Sequence, residues 1–196
     1  MKHYEIFTSV TAPEETSETL EALEEKIGFV PNVFSVMAGT PAVLDSFVSL
    51  NQNFGATSLD ATEREIIQIA VSVENNGTYC VAGHTSFAKK QKVEDSIIKA
   101  VRTRGLINDP KLAALHKFAR QVAINRGNLG DGELAQFMGA GYSPAQVLEV
   151  ILGVCVKMFS NLSDNVLGFP LDKEFEDYAW DPKSAVGIPE FEPAAA

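Results

Sequence analysis

The run LDATEREIIQIAVSVEN, residues 59–75, constrains the fold more than any other stretch of the chain. Asp60 followed three residues later by Glu63 is a capping-box pattern that starts a helix. Beyond it, Ile66, Ile67, Ile69, Ala70, Val71 and Val73 cover more than half of a helical circumference. A helix that apolar must be surrounded by other elements, so the sequence predicts a central helix inside a larger assembly of helices. Ser143-Pro144 opens a second run, AQVLEVILGVCVKMFSNLSDNVLG, of the same kind. Both runs have a cap, a glutamate (Glu65, Glu149) and then a long apolar stretch, which suggests a duplicated helical unit.

The remaining segments carry the same punctuation. Thr16 to Ile27 has Leu20, Leu23 and Ile27 on one face and ends at Gly28. Pro31 and Asn32 start a short helix, and Thr40-Pro41 opens another that runs to about Phe54. NNG closes the central helix, with Gly77 expected in the left-handed conformation and Thr78 as cap of the next helix, through Lys90. Further helices are predicted from Val93 to Val101, from Asp109-Pro110 to Asn125, and from Asp131 or Gly132 to the Gly139–Gly141 stop. No series of alternating runs signals a sheet. The expectation is an all-α domain of about eight helices over residues 1–172, with 1–14 an N-terminal extension. Residues 173–196 read as an extended arm that wraps the surface or a partner subunit and frays at its end, with Tyr178 and Trp180 as interface anchors.

Charge and composition narrow the function. Of 196 residues, 45% are hydrophobic and 21% charged, enough for a sizeable core. A formal net charge of −10 disfavours a nucleic-acid surface or docking on anionic lipid. The acidic run from Glu14 to Glu25 reads as a solvated helix face. The N-terminus has no apolar signal core, and Val150 to Val156 is too short to span a bilayer. Cys80 and Cys155 are the only cysteines and make no disulfide framework, so a reducing cytoplasm is the expected compartment. No cofactor motif is present, and GDG at 130–132 is a loop.

The chemistry concentrates in NNGTYCVAGH, residues 75–84. Cys80 in the first turn of its helix faces unpaired N–H groups and the positive end of the helix dipole, which favours thiolate. His84, four residues on, shares that face and is placed to take the thiol proton. Folding the two helices into a hairpin sets Glu65 level with His84 to Ala88, where a carboxylate can orient the imidazole. His116 lies among Leu112, Leu115 and Ala119 and reads as a packed histidine. His3 falls in the N-terminal extension. Three histidines and no second ligand pair argue against a metal site at Glu65, Cys80 and His84.

The segment EREIIQIAVSVENNGTYCVAGHTSFAKK resembles the signature of the carboxymuconolactone decarboxylase family, in its AhpD-like alkylhydroperoxidase branch. That pattern is a glutamate, eleven residues, a cysteine, two residues, a second cysteine, three residues and a histidine. Glu65, Cys80 and His84 match the glutamate, the second cysteine and the histidine, and Gly77 replaces the first cysteine. GFVPNVFSVMAGTPAVLDSF and NLSDNVLGFPLD extend the resemblance to roughly residues 15 to 172.

The resemblance implies an all-helical oligomer in which Cys80 attacks peroxide while His84 and Glu65 draw off its proton. No local thiol would resolve the sulfenic acid, so an external thiol reductant is implied, and Gly77→Cys is expected to restore a dithiol. Cys155, in ILGVCVKMF, reads as core packing. Two other functions compete. One is a cofactor-free lyase using His84 and Glu65 on a carboxylated substrate, with Lys89, Lys90, Lys92, Arg102 and Arg104 as candidate cations. The other is a non-catalytic oligomer.

Overall fold

The computed structural model describes residues 4–185. His3 and the end of the arm, 186–196, lie outside the described residues. Nine α-helices and two short 3-10 helices make up the described part, with no strand among those residues, as the all-α expectation requires. In order they are α1 (Glu14–Ile27), α2 (Asn32–Met37), α3 (Pro41–Gly55), α4 (Ala61–Glu74), α5 (Thr78–Lys90), α6 (Asp95–Arg102), α7 (Pro110–Ile124), α8 (Asp131–Gly139) and α9 (Pro144–Leu167). The 3-10 turns Lys173–Tyr178 and Pro182–Ser184 follow.

Helix α4 is the hub. The Asp60 side chain accepts from the Glu63 N–H while Glu63 reaches back to the Asp60 N–H, so the predicted capping box starts it. From Ile66 to Val73 every residue is buried, and α5, α6, α7 and α9 pack around it. Asp109 and Ser143 cap α7 and α9 through their side chains, each with proline in the first turn. Gly28, at φ 96°, closes α1, whose acidic residues face solvent.

Pro31 rather than Asn32 takes the N-cap place of α2, and Thr40 makes no side-chain cap bond to α3; local expectation fails more sharply between α4 and α5. The left-handed residue there is Asn76, at φ 53°, and Gly77 has φ −77° and ψ 79°, open to any residue. Thr78 does not cap α5. Gly77 is the N-cap residue, with no side-chain bond of its own. Instead Asp164, reaching over from α9, accepts the backbone N–H groups of Tyr79 and Phe169. A tertiary carboxylate has replaced the local cap.

Helix α9 is inverted over its second half. Lys157, Ser160, Asn161 and Asp164 fall at i, i+3, i+4 and i+7, and all four are buried. Leu148, Ile151, Cys155, Leu162 and Val166 share the opposite narrow face and are exposed. Cys155 is therefore a surface residue, which corrects its assignment to the core. Over its 24 residues α9 is long and apolar enough, by length and composition, to cross a membrane. It nevertheless packs here against α3, α4 and α7 with its polar stripe turned inward. The possible duplication does not extend to the glutamates: Glu149 holds the Ser58 N–H and hydroxyl at the surface, far from the role of Glu65.

The described part of the C-terminal arm lies on its own subunit. Phe175 is buried against Gly83 of α5, where a Cβ would sit 3.1 Å from the ring. Arg102 donates to the carbonyls of Tyr178 and Ala179, and the Trp180 indole N–H returns a bond to the Arg102 carbonyl. Trp180 thus anchors the arm to α6.

Candidate active site

Glu65 and His84 meet as the hairpin geometry requires. His84 Nδ1 lies 2.9 Å from Glu65 Oε2, and Gln91 Nε2 donates to the other carboxylate oxygen at 2.7 Å. A carboxylate accepts only, so Nδ1 carries the proton and Nε2 is left as an acceptor. That acceptor is already engaged: Lys157 Nζ stands 2.7 Å from it. No hydrogen bond joins His84 to the thiol, so of the two routes the spacing allows, direct or through a water, the direct one is not formed. The Cys80 thiol instead lies 3.6 Å from the Ser160 hydroxyl, one turn along α9 from Lys157.

Lys157 is the cavity residue to which the sequence reading gives no role. It is 3% exposed, sits within the field of both Cys80 and Glu65, and lines the same cavity as Cys80 and His84. Burial pulls its ammonium below the ordinary lysine value, against the opposing fields of Cys80 and Glu65. Burial also lowers His84, the Lys157 charge adds to that, and Glu65 opposes both. His84 is thus held neutral, suited to accept a hydrogen bond from Lys157.

A cavity of about 70 Å³ meets this group. Cys80, His84, Lys157 and Ser160 form its polar end, and Val33, Phe34, Phe47, Phe87 and Phe175 form apolar walls. This is room for a few waters or a small organic molecule, since one water needs about 10–15 Å³ by such a measure. Cys80 is buried at 3% exposure but is not sealed from the cavity. Tyr79 closes one side. Its hydroxyl donates to Asp172 and accepts from the Val33 N–H, and burial together with the Asp172 charge keeps the phenol protonated.

The cations proposed for an anionic substrate lie elsewhere. Lys89 pairs with Asp95 at the surface, Lys90 sits over the Phe29 and Phe87 rings, and Lys92 is exposed. Arg102 holds the arm, and Arg104 joins Arg120 on the Glu74 carboxylate. None of the five lines the cavity. His116 is buried and pushed down to about 3 by desolvation and by Arg120, as a neutral packed histidine would be. No cluster of metal-ligating side chains occurs among the described residues.

Gly77 is packed too closely for a side chain. A Cβ on Gly77 would stand 2.4 Å from Asn161 Nδ2. Asn161 is fully buried and fixed at both ends: Nδ2 donates to the Ser72 hydroxyl, and Oδ1 accepts from Asn75. Residue 77 is glycine here for space, since its backbone does not demand it.

The fold is of the AhpD-like all-α type, and its cavity sets the Cys80 thiol beside a Glu65–His84–Lys157 chain. Residues 41–121 match the model of the carboxymuconolactone decarboxylase family, which includes Glu65, Cys80 and His84. The structure resembles the alkylhydroperoxidase AhpD core of a peroxidase-related protein from Ralstonia eutropha JMP134. The TM-score is 0.80 at 21% identity, over 94% of this chain and 97% of that one. A peroxidase-related protein from Silicibacter sp. TM1040 gives 0.76 at 20% identity, over 83% and 87%. The debrominase Bmp8, as a cysteine-to-alanine variant in complex with 2,3,4-tribromopyrrole, gives 0.71 at 15% identity, over 88% and 89%. Among curated proteins, none matches the sequence significantly.

Proposed function

We propose that this chain is a one-cysteine, thiol-dependent peroxidase-type oxidoreductase acting on a small peroxide. The observation that carries the reading is the hydrogen-bonded chain Glu65–His84–Lys157, which ends at the cavity that holds Cys80. Thiolate attack on the peroxide oxygen forms Cys80 sulfenic acid and releases water or an alcohol. Neither Gly77 nor Cys155 supports internal resolution: Asn161 fills the first place, and the second faces solvent across α9. An external thiol therefore completes the cycle. The same proposal makes the chain a cytoplasmic homo-oligomer. Its support is two free cysteines and an exposed apolar stripe on α9 of the kind that marks contact surfaces. The test is trapping of Cys80 sulfenate with a dimedone-type reagent after peroxide, with loss of the signal in Cys80→Ser and slower formation in His84→Ala. A thiol that gives no sulfenate in the wild type refutes the reading.

One observation favours a second reading, a cofactor-free lyase. Lys157 lines an apolar cavity beside a histidine held neutral, and in its protonated form it suits binding a carboxylated substrate and moving its proton. Turnover of a carbon acid that survives Cys80→Ser and is abolished by His84→Ala would establish that chemistry instead. An inert thiol without such turnover leaves the non-catalytic oligomer.

A further inference from the structure

We propose that Lys157 is the proton carrier of the peroxide reaction, taking the thiol proton of Cys80 and handing it to the leaving oxygen. The inference rests on the thiol reading above and concerns the same site. Both imidazole nitrogens of His84 are committed, one to Glu65 and one to Lys157, so the imidazole has no free atom for the sulfur or the substrate. Ser160 is a neutral hydroxyl and neither stores nor supplies a net proton at ordinary pH. Tyr79 also lines the cavity and feels Cys80, but its hydroxyl is spent between Asp172 and the Val33 N–H and stays protonated. That leaves Lys157 as the ionisable group of the lining able to exchange a proton with Cys80.

The oxidation of Cys80 balances without any further reactant, and the external thiol then returns the sulfenic acid to the thiol. Lys157, as the free amine, accepts the thiol proton, giving thiolate and ammonium. The thiolate sulfur attacks the terminal oxygen of an organic hydroperoxide, the S–O bond forms, and the O–O bond breaks. Sulfur is oxidised by two electrons as the peroxide is reduced. The departing alkoxide takes its proton from the Lys157 ammonium, leaving sulfenic acid, alcohol and the amine it began with. An alkoxide leaving into an apolar cavity is costly unless protonated as it forms. Glu65 and Gln91 fix the imidazole, and its Nε2 lone pair holds the Lys157 amine in place, so these three are positioning residues.

The experiment compares two oxidants on each protein, measured as single-turnover rates of Cys80 oxidation. An alkyl hydroperoxide leaves as a basic alkoxide and needs the proton, whereas a peracid leaves as a carboxylate and does not. Thiolate content affects both rates alike, so their ratio reports proton delivery alone. Lys157→Met should slow the hydroperoxide by about 100-fold or more and the peracid by much less. Lys157→Arg keeps a cation but cannot release its proton at working pH, and should shift the ratio the same way. This second variant carries the test should the methionine protein fail to fold. A ratio unchanged in a folded variant overturns the proposal, leaving Lys157 an electrostatic partner of the thiolate. Wild-type Cys80 that reacts with neither oxidant overturns the thiol reading itself, an outcome distinct from an unchanged ratio.

Discussion

Gly77→Ala isolates the steric account of the glycine at position 77. With φ −77° and ψ 79°, alanine is allowed there, and a Gly→Ala change at a compatible backbone normally stabilises by about 0.4–1 kcal/mol. Here the new Cβ would lie 2.4 Å from Asn161 Nδ2 and 2.9 Å from its Cγ, against ordinary contact of 3.4 Å or more. A shift of about 1 Å is needed, and Asn161 cannot make it without losing its bonds to Ser72 and Asn75. Overpacking costs about 1–3 kcal/mol, and two lost hydrogen bonds cost about 0.5–1.5 kcal/mol each. After the backbone gain, Gly77→Ala should destabilise by about 1–5 kcal/mol. Asn161→Ala alone also destabilises, but the double variant should be more stable than the two costs summed, by about 1–2 kcal/mol. Urea unfolding of the four proteins measures this. A Gly77→Ala protein as stable as wild type, or additivity across the cycle, refutes the reasoning. The same contact revises the expectation for Gly77→Cys: the 77–80 disulfide should form readily only when Asn161 is also shortened.

Further outcomes follow from other contacts. His116 binds a proton near pH 6.5 when unfolded but only near 3 when folded, so stability falls as pH drops below 6.5 and the loss saturates below 3. By pH 5 this one group costs about 2 kcal/mol relative to neutral pH, and His116→Phe should flatten that part of a pH–stability curve. Glu65→Gln removes the carboxylate that orients His84 and should slow Cys80 oxidation at least about tenfold, with the fold unchanged by circular dichroism. Leu162→Lys alters a 56% exposed residue of the α9 stripe. It should leave the monomer fold intact and lower the sedimenting mass if copies pair through that face.

Most of the architecture was legible because the helix boundaries are written locally. Asp60, Asp109 and Ser143 cap the helices they were expected to cap, and α4 is buried on all sides, as its apolar circumference demanded. Glu65 and His84 were also legible, since a short hairpin fixes which residues stand level. The sequence was misread where tertiary contacts override local rules. Asp164 replaces the expected Thr78 cap from a distant helix, and a glycine after NNG looked like a backbone requirement until Asn161 was seen beside it. Apolarity alone does not say which face of α9 is inside, so the sequence reads Cys155 as core and gives Lys157 no role. The signal was present: Lys157, Ser160, Asn161 and Asp164 repeat at helical spacing inside an apolar run. A polar stripe of that period on an otherwise apolar helix marks a buried polar network facing inward.

The chain contains its own control for the central claim. Cys155 is exposed on the single chain and Cys80 is buried, so in the Leu162→Lys protein, whose α9 face is uncovered, accessibility alone makes Cys155 the faster thiol. The measurement is mass spectrometry of each cysteine peptide of that protein after brief exposure to less than one equivalent of an alkyl hydroperoxide. The account predicts that the added oxygen appears on Cys80 first, and that Glu65→Gln removes this preference. Oxidation of Cys155 ahead of Cys80 would contradict it.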